Sequence, residues 1–142
     1  MSAPAFFGSK AFAVVGASAD TSKFGNKLLR WYLERGLTVV PVNPRGGRIE
    51  DRECVVSVAE LDADYSVSVV TPPAVALQVL AQARTAGVKH VWLQPGSEDD
   101  AVVALVREWR DADPKANVLL GGPCVLADGD QAIAARTASS NL

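Results

Sequence analysis

Val14-Val15-Gly16-Ala17-Ser18-Ala19-Asp20-Thr21-Ser22-Lys23-Phe24-Gly25-Asn26 is the stretch that decides the fold. An apolar run, Ala11–Val15, stops at a glycine, and a polar turn leads to a second glycine where helical spacing begins. A strand feeding a helix through such a turn is the opening of a βαβ unit. Gly16 allows the sharp backbone turn, and Gly25 allows an anion to approach the N–H groups at the helix start, where the dipole favours negative charge. Ser18, Thr21 and Ser22 supply hydroxyls and Lys23 a cation. The spacing is not the dinucleotide fingerprint Gly-x-Gly-x-x-Gly, contains no Gly-Lys-Ser/Thr, and is not a nucleophile elbow. Taken alone, it is either an anion-binding loop or an ordinary strand-to-helix connection rich in turn residues.

Outward from this loop, two periods alternate. Further short apolar runs lie at Thr38–Val42, Ser66–Val70, His90–Leu93 and Val118–Leu120, as expected of strands buried on both faces. Between them, Phe24, Leu28, Trp31 and Tyr32 share one helical face that ends at Gly36. Ala76, Val79, Leu80 and Ala83 form a second stripe, opened by Pro73 and stopped by Gly87. Val102, Leu105, Val106 and Trp109 form a third, with Ser97 and Asp100 as a capping box and Pro114 as its end. The expected fold is α/β: a Rossmann-like, doubly wound parallel sheet of about five strands in the order 3-2-1-4-5. Pro41 conflicts with a central position for the second strand.

The composition agrees. With 49% hydrophobic but only 6% aromatic residues, the core must be built from Val, Leu and Ala, which suits a sheet covered by helices. Residues 1–142 are expected to form one domain, with a core from about 10 to 127 and a short Ala- and Ser-containing C-terminal tail. Only two cysteines, Cys54 and Cys124, are present, and no run of 18 apolar residues or secretory leader is visible. A reduced, cytoplasmic setting is expected, with no membrane partner. The net charge of −2 argues against nucleic acid. Residues 1–52 carry eight Lys/Arg against four Asp/Glu, and the remainder carries six against twelve, so a small anionic ligand is expected near the first third of the chain.

The second strand ends in Asn43-Pro44-Arg45-Gly46-Gly47-Arg48. NAD binders place an acid there to hold ribose hydroxyls. Here arginines stand instead, which suits a ribose phosphate. Coenzyme A and NADP both carry one, so the pair disfavours NAD without separating those two.

Five features in order then carry a resemblance over about Ala11 to Leu126: Val14-Val15-Gly16-Ala17-Ser18, Pro41-Val42-Asn43-Pro44, Thr71-Pro72-Pro73, Trp92-Leu93-Gln94-Pro95-Gly96 and Gly121-Gly122-Pro123-Cys124. The chain resembles the small CoA-binding domain family, itself similar to the N-terminal domain of the succinyl-CoA synthetase α subunit. The resemblance implies that Gly16, Ala17, Ser18, Ser22, Lys23, Phe24, Gly25 and Asn26 hold a pyrophosphate. It implies that Asn43, Pro44 and Arg45 lie near the ribose phosphate, and that Thr71, Pro72 and Pro73 line the pantetheine side. Gln94, Gly96 and Cys124 would edge the crevice. The ligand so implied is coenzyme A or an acyl-CoA, held by a binding or regulatory module without catalysis of its own. The alternatives are an NADP-dependent oxidoreductase and a nucleotide-binding regulatory protein; a homo-oligomer or a partner enzyme stays open. The chain departs from many bacterial members, which carry Asp-Arg-Cys where it has Gly122-Pro123-Cys124. No counterpart of the synthetase's phosphohistidine domain is expected within these 142 residues, and the single histidine, His90, matches no catalytic position.

Overall fold

The computed structural model describes the chain from Ser2 to Ser140, with side chains to Arg136. Five strands form one parallel sheet: β1 (Ala11–Val15), β2 (Val39–Val42), β5 (Tyr65–Val69), β6 (His90–Leu93) and β7 (Asn117–Leu119). A two-stranded antiparallel hairpin, β3 (Arg48–Ile49) and β4 (Arg52–Glu53), lies outside it. Helices α1 (Ala3–Phe6), α2 (Phe24–Glu34), α3 (Pro73–Ala86), α4 (Asp100–Ala112) and α5 (Val125–Ser140) complete the fold.

The sheet parts two apolar layers, and the alternation within β1 shows how. Ala13 and Val15 face a layer built from α3, α4 and the 3-10 turn Val58–Glu60, including Val58, Leu80, Val106 and Trp109. Phe12 and Val14 face the other layer, with Phe6, Phe7, Leu28, Trp31, Tyr32 and Trp92. All five residues of β1 are buried, as a parallel strand covered on both sides requires. Trp31, Trp92 and Trp109 are core residues, at 6%, 0% and 1% exposure.

The α/β class matches the sequence reading, but the strand order does not. The sheet runs β2-β1-β5-β6-β7, so its five strands stand in the order 2-1-3-4-5 rather than 3-2-1-4-5. The cause lies in residues 43–64. They form no crossover helix beside α2; they carry the hairpin and the 3-10 turn, and that turn joins the α3 layer. A right-handed connection over that opposite face must place the next strand on the other side of β1. The same topology settles Pro41. β2 is the sheet edge, and the Pro41 carbonyl turns outward to accept the Val55 N–H at 2.9 Å, so the missing N–H also lies off the ladder to β1.

Three local expectations need correction. Phe24 is 38% exposed and stands off the buried face of α2, whose contacts come from Leu28, Leu29, Trp31 and Tyr32. Helix α4 is capped by Asp99, whose carboxylate accepts the Val102 N–H at 2.9 Å; Ser97 instead donates its hydroxyl to the Val69 carbonyl. The stretch after Asp128, read as a tail, continues α5. Its Ala132 is buried, and Asp130 pairs with Arg35, the C-cap of α2, at 2.6 Å. Ala and Ser are compatible with either state; docking against Trp31 decides it. Among the described residues, no helix is long and apolar enough to cross a membrane.

Candidate functional site

In a parallel sheet all strands end at one rim, so the loops after β1, β2, β5, β6 and β7 gather there. With the order found here, the crossover direction reverses between β1 and β5, and ligand crevices form at that point. Gly16 closes β1 and Val70-Thr71 closes β5, side by side. Gly16 has φ +93°, and a Cβ there would stand 2.6 Å from Val70 Cγ2 and 3.3 Å from Thr71 Cγ2. No L side chain fits this turn.

Gly25 serves a different end from the one read in the sequence. It is buried, and the space its Cβ would need is taken by the Gly16 carbonyl. Its absent side chain lets α2 close onto the turn.

The polar loop is ordered by its own side chains. Asp20 Oδ1 accepts from the Ser22 N–H at 2.9 Å and the Ser22 hydroxyl at 2.7 Å, while the Asp20 N–H donates to Ser18 Oγ at 3.1 Å. The Ser22 hydroxyl, then its N–H, hold the Asp20 carboxyl below its ordinary range. Asn26, fully buried, donates to the Ser18 carbonyl at 2.9 Å. Asn43 donates to the Ala17 carbonyl at 3.2 Å and accepts the Arg45 N–H at 2.9 Å, tying the β2 exit to the loop. Asn26 and Asn43 are thus committed to shaping the turn. Among the described residues no acceptor meets the N–H groups of Ala17 and Ser18, and the first turn of α2 leaves those of Phe24, Gly25 and Asn26 without intrahelical partners. Lys23, exposed, precedes that turn.

Beside the loop lies a cavity of about 270 Å³, walled by Val42, Pro44, Val56, Thr71 and Val75, with Ser57, Gln78 and Gln82 adding polar edges. The Thr71 hydroxyl is buried and has no hydrogen-bond partner among the described residues. Arg45 is exposed, and its guanidinium makes no bond to a described residue; Arg48 spends one nitrogen on the Asp51 carbonyl at 2.8 Å. Pro72 and Pro73 open α3 between the β1 and β6 loops.

The third group of residues separates. Gly96 lies exposed in the turn after β6. Gln94 is 1% exposed, and both ends of its amide are used internally: Nε2 donates to the Trp92 carbonyl at 3.3 Å, and Oε1 accepts the Val125 N–H at 2.9 Å. It fastens α5 to β6. Cys124 is half-buried just before α5, and its N–H donates to Asp128 at 2.9 Å. Cys54 packs beside the α2 layer, and burial pushes its thiol up. His90 lies at the opposite end of β6, away from the rim. Among the described residues no cluster of His, Cys, Asp or Glu could hold a metal ion.

Sequence reading missed Asp20 as the loop's organiser, the Val56–Val58 wall, and the contact of Glu50, whose carboxylate accepts from Asn26 Nδ2 at 3.0 Å. Asp20-Thr21-Ser22 carried a signal, since an Asp two residues before Ser suits an Asx turn. Glu50 carried none.

A parallel sheet with a glycine turn at its switch point defines a Rossmann-like α/β domain. Sequence comparison narrows the class: the CoA binding domain signature matches residues 10–130, and the chain belongs to this family. That membership supports coenzyme A as the ligand. The chain is similar to acetate–CoA ligase (ADP-forming) I subunit alpha of Pyrococcus furiosus, 38% identical over an aligned length of 98, with 64% of this chain and 21% of that protein covered. The match thus spans about a fifth of the relative's length. Among solved structures, a conserved hypothetical protein from Pyrococcus furiosus is 35% identical with a TM-score of 0.75, covering 84% of this chain and 98% of that one. A Thermus thermophilus protein is 26% identical with a TM-score of 0.73, covering 89% and 92%.

Proposed function

We propose that the protein binds coenzyme A, or an acyl-CoA, across the β1–β5 switch point, and acts as a binding or regulatory module without catalysis of its own. Family membership over residues 10–130 carries this reading. The unpartnered N–H groups of Ala17, Ser18 and the α2 start, with Lys23, suit the pyrophosphate. Arg45 suits the ribose phosphate, because its exposed guanidinium is uncommitted. The cavity between Pro44 and Val75 offers an apolar slot for the adenine ring. Pro72, Pro73 and Gly96 then lie along the way to Cys124, where the thiol end would arrive. The buried Thr71 hydroxyl fits this reading as a donor awaiting an acceptor in the crevice wall.

The competing ligand is NADP, since Arg45 would serve its phosphate equally. Calorimetry with CoA, dephospho-CoA, NADP and NAD separates the readings. A charge-assisted hydrogen bond contributes roughly 1.5–3 kcal/mol, so CoA should bind roughly ten- to a hundredfold tighter than dephospho-CoA. Equal affinity for these two, or a preference for NADP, would overturn the assignment.

A further inference from the structure

The hairpin turn between β3 and β4 carries two non-glycine residues in the left-handed region, Glu50 at φ +49° and Asp51 at φ +59°. A two-residue hairpin turn of this type wants Asn-Gly or Asp-Gly, and other side chains adopt it at a cost. The turn projects the Glu50 carboxylate onto α2. Its Oε1 accepts from Asn26 Nδ2 at 3.0 Å and lies 4.0 Å from Arg30 Nε. The other Nδ2 hydrogen of Asn26 serves the Ser18 carbonyl at 2.9 Å, and its Oδ1 accepts from Arg30 Nε at 2.7 Å. Arg30 in turn reaches the Thr21 carbonyl at 3.3 Å. Both N–H donors of the buried Asn26 amide are therefore used and its oxygen accepts one bond, and two of the loop's carbonyls are held from α2.

We propose that Glu50 is a positioning residue for the β1–α2 loop: its carboxylate oxygen fixes the Asn26 amide, which draws the Ser18 carbonyl toward α2 and leaves the neighbouring N–H groups to an anionic ligand. Without the Glu50 oxygen, one Asn26 hydrogen is buried without a partner, and the amide gains by turning away from Ser18. The role belongs to the oxygen as acceptor. The charge itself opposes an anion at the same helix end, with Arg30 offsetting part of it.

Two substitutions separate the parts. Glu50→Gly removes the acceptor while suiting φ +49°, so the turn itself gains no strain. Glu50→Gln keeps an acceptor and removes the charge. In ligand-free protein, amide hydrogen exchange over residues 17–23 should speed up about tenfold in Glu50→Gly, more than in α4, and stay unchanged in Glu50→Gln. On the ligand reading above, CoA should bind about tenfold more weakly to Glu50→Gly and at least as tightly to Glu50→Gln. Unchanged loop exchange in Glu50→Gly, or an equal loss in Glu50→Gln, overturns the proposal. Wild-type protein that fails to bind CoA overturns the ligand reading, and the exchange measurement still decides the role of Glu50.

Discussion

The carbonyl of Gly16 occupies the space that a Cβ on Gly25 would fill, so the turn and the helix it feeds are in backbone contact. Helix propensity alone favours alanine over glycine by about 1 kcal/mol. A clash against backbone, which cannot swing aside, costs about 1–3 kcal/mol or more. Gly25→Ala should therefore lower the unfolding free energy in urea titration. A variant as stable as the wild type would show that the contact relaxes without cost.

Arg45→Ala tests the ribose-phosphate assignment without touching the core. The side chain is exposed, so stability should not change. CoA affinity should fall roughly tenfold or more, corresponding to about 1.5–3 kcal/mol, and dephospho-CoA affinity should not. Equal losses for both ligands would place the arginine elsewhere on the molecule.

How much of this was legible beforehand differs from element to element. The five sheet strands were marked by their Val-rich runs, and Pro73 and Gly87 bounded α3 as they stand in the structure. The hairpin was not visible, because two-residue strands have no period and Glu50-Asp51 is not a turn pair that sequence rules favour. The strand order failed for a related reason: handedness constrains each crossover, but the face taken by residues 43–64 depends on where Val58 and Leu61 bury. At the site, residue type alone does not settle a role. An amide such as Asn26 or Gln94 reads the same whether it meets a ligand or the backbone.

Gln94→Leu should illustrate that difference. It leaves the Val125 N–H without an acceptor inside the protein, a loss of about 1–3 kcal/mol. Stability should fall while CoA affinity of the folded protein changes little. A selective loss of affinity at unchanged stability would return Gln94 to the ligand.

Acid should loosen the far end of the sheet. Asn117 accepts the Ser2 N–H on Oδ1 at 2.7 Å and donates Nδ2 to the Ser2 carbonyl at 2.8 Å, which fixes its orientation. The same Nδ2 lies 3.0 Å from His90 Nδ1, which must then be the unprotonated acceptor. Burial pushes the His90 pKa below its ordinary value of 6.5. The folded state favours the neutral ring, so this contribution is complete above pH 6.5 and is lost as pH falls through the lower folded-state value. The urea midpoint should drop below pH 6.5 in the wild type and flatten over that range in His90→Leu. Identical pH profiles would remove His90 as the cause.

Trp92 links the N-terminal aromatic cluster to the loop after β7. Its ring packs edge-on against Phe6 at 5.5 Å, and its Nε1 donates to the Pro123 carbonyl at 3.0 Å, one residue before Cys124. An indole whose N–H is bonded to a peptide group at the crevice is an optical probe already in place. On the proposed reading, a ligand whose thiol end reaches Cys124 should change the Trp92 contribution to the protein's emission, without a dye or a label.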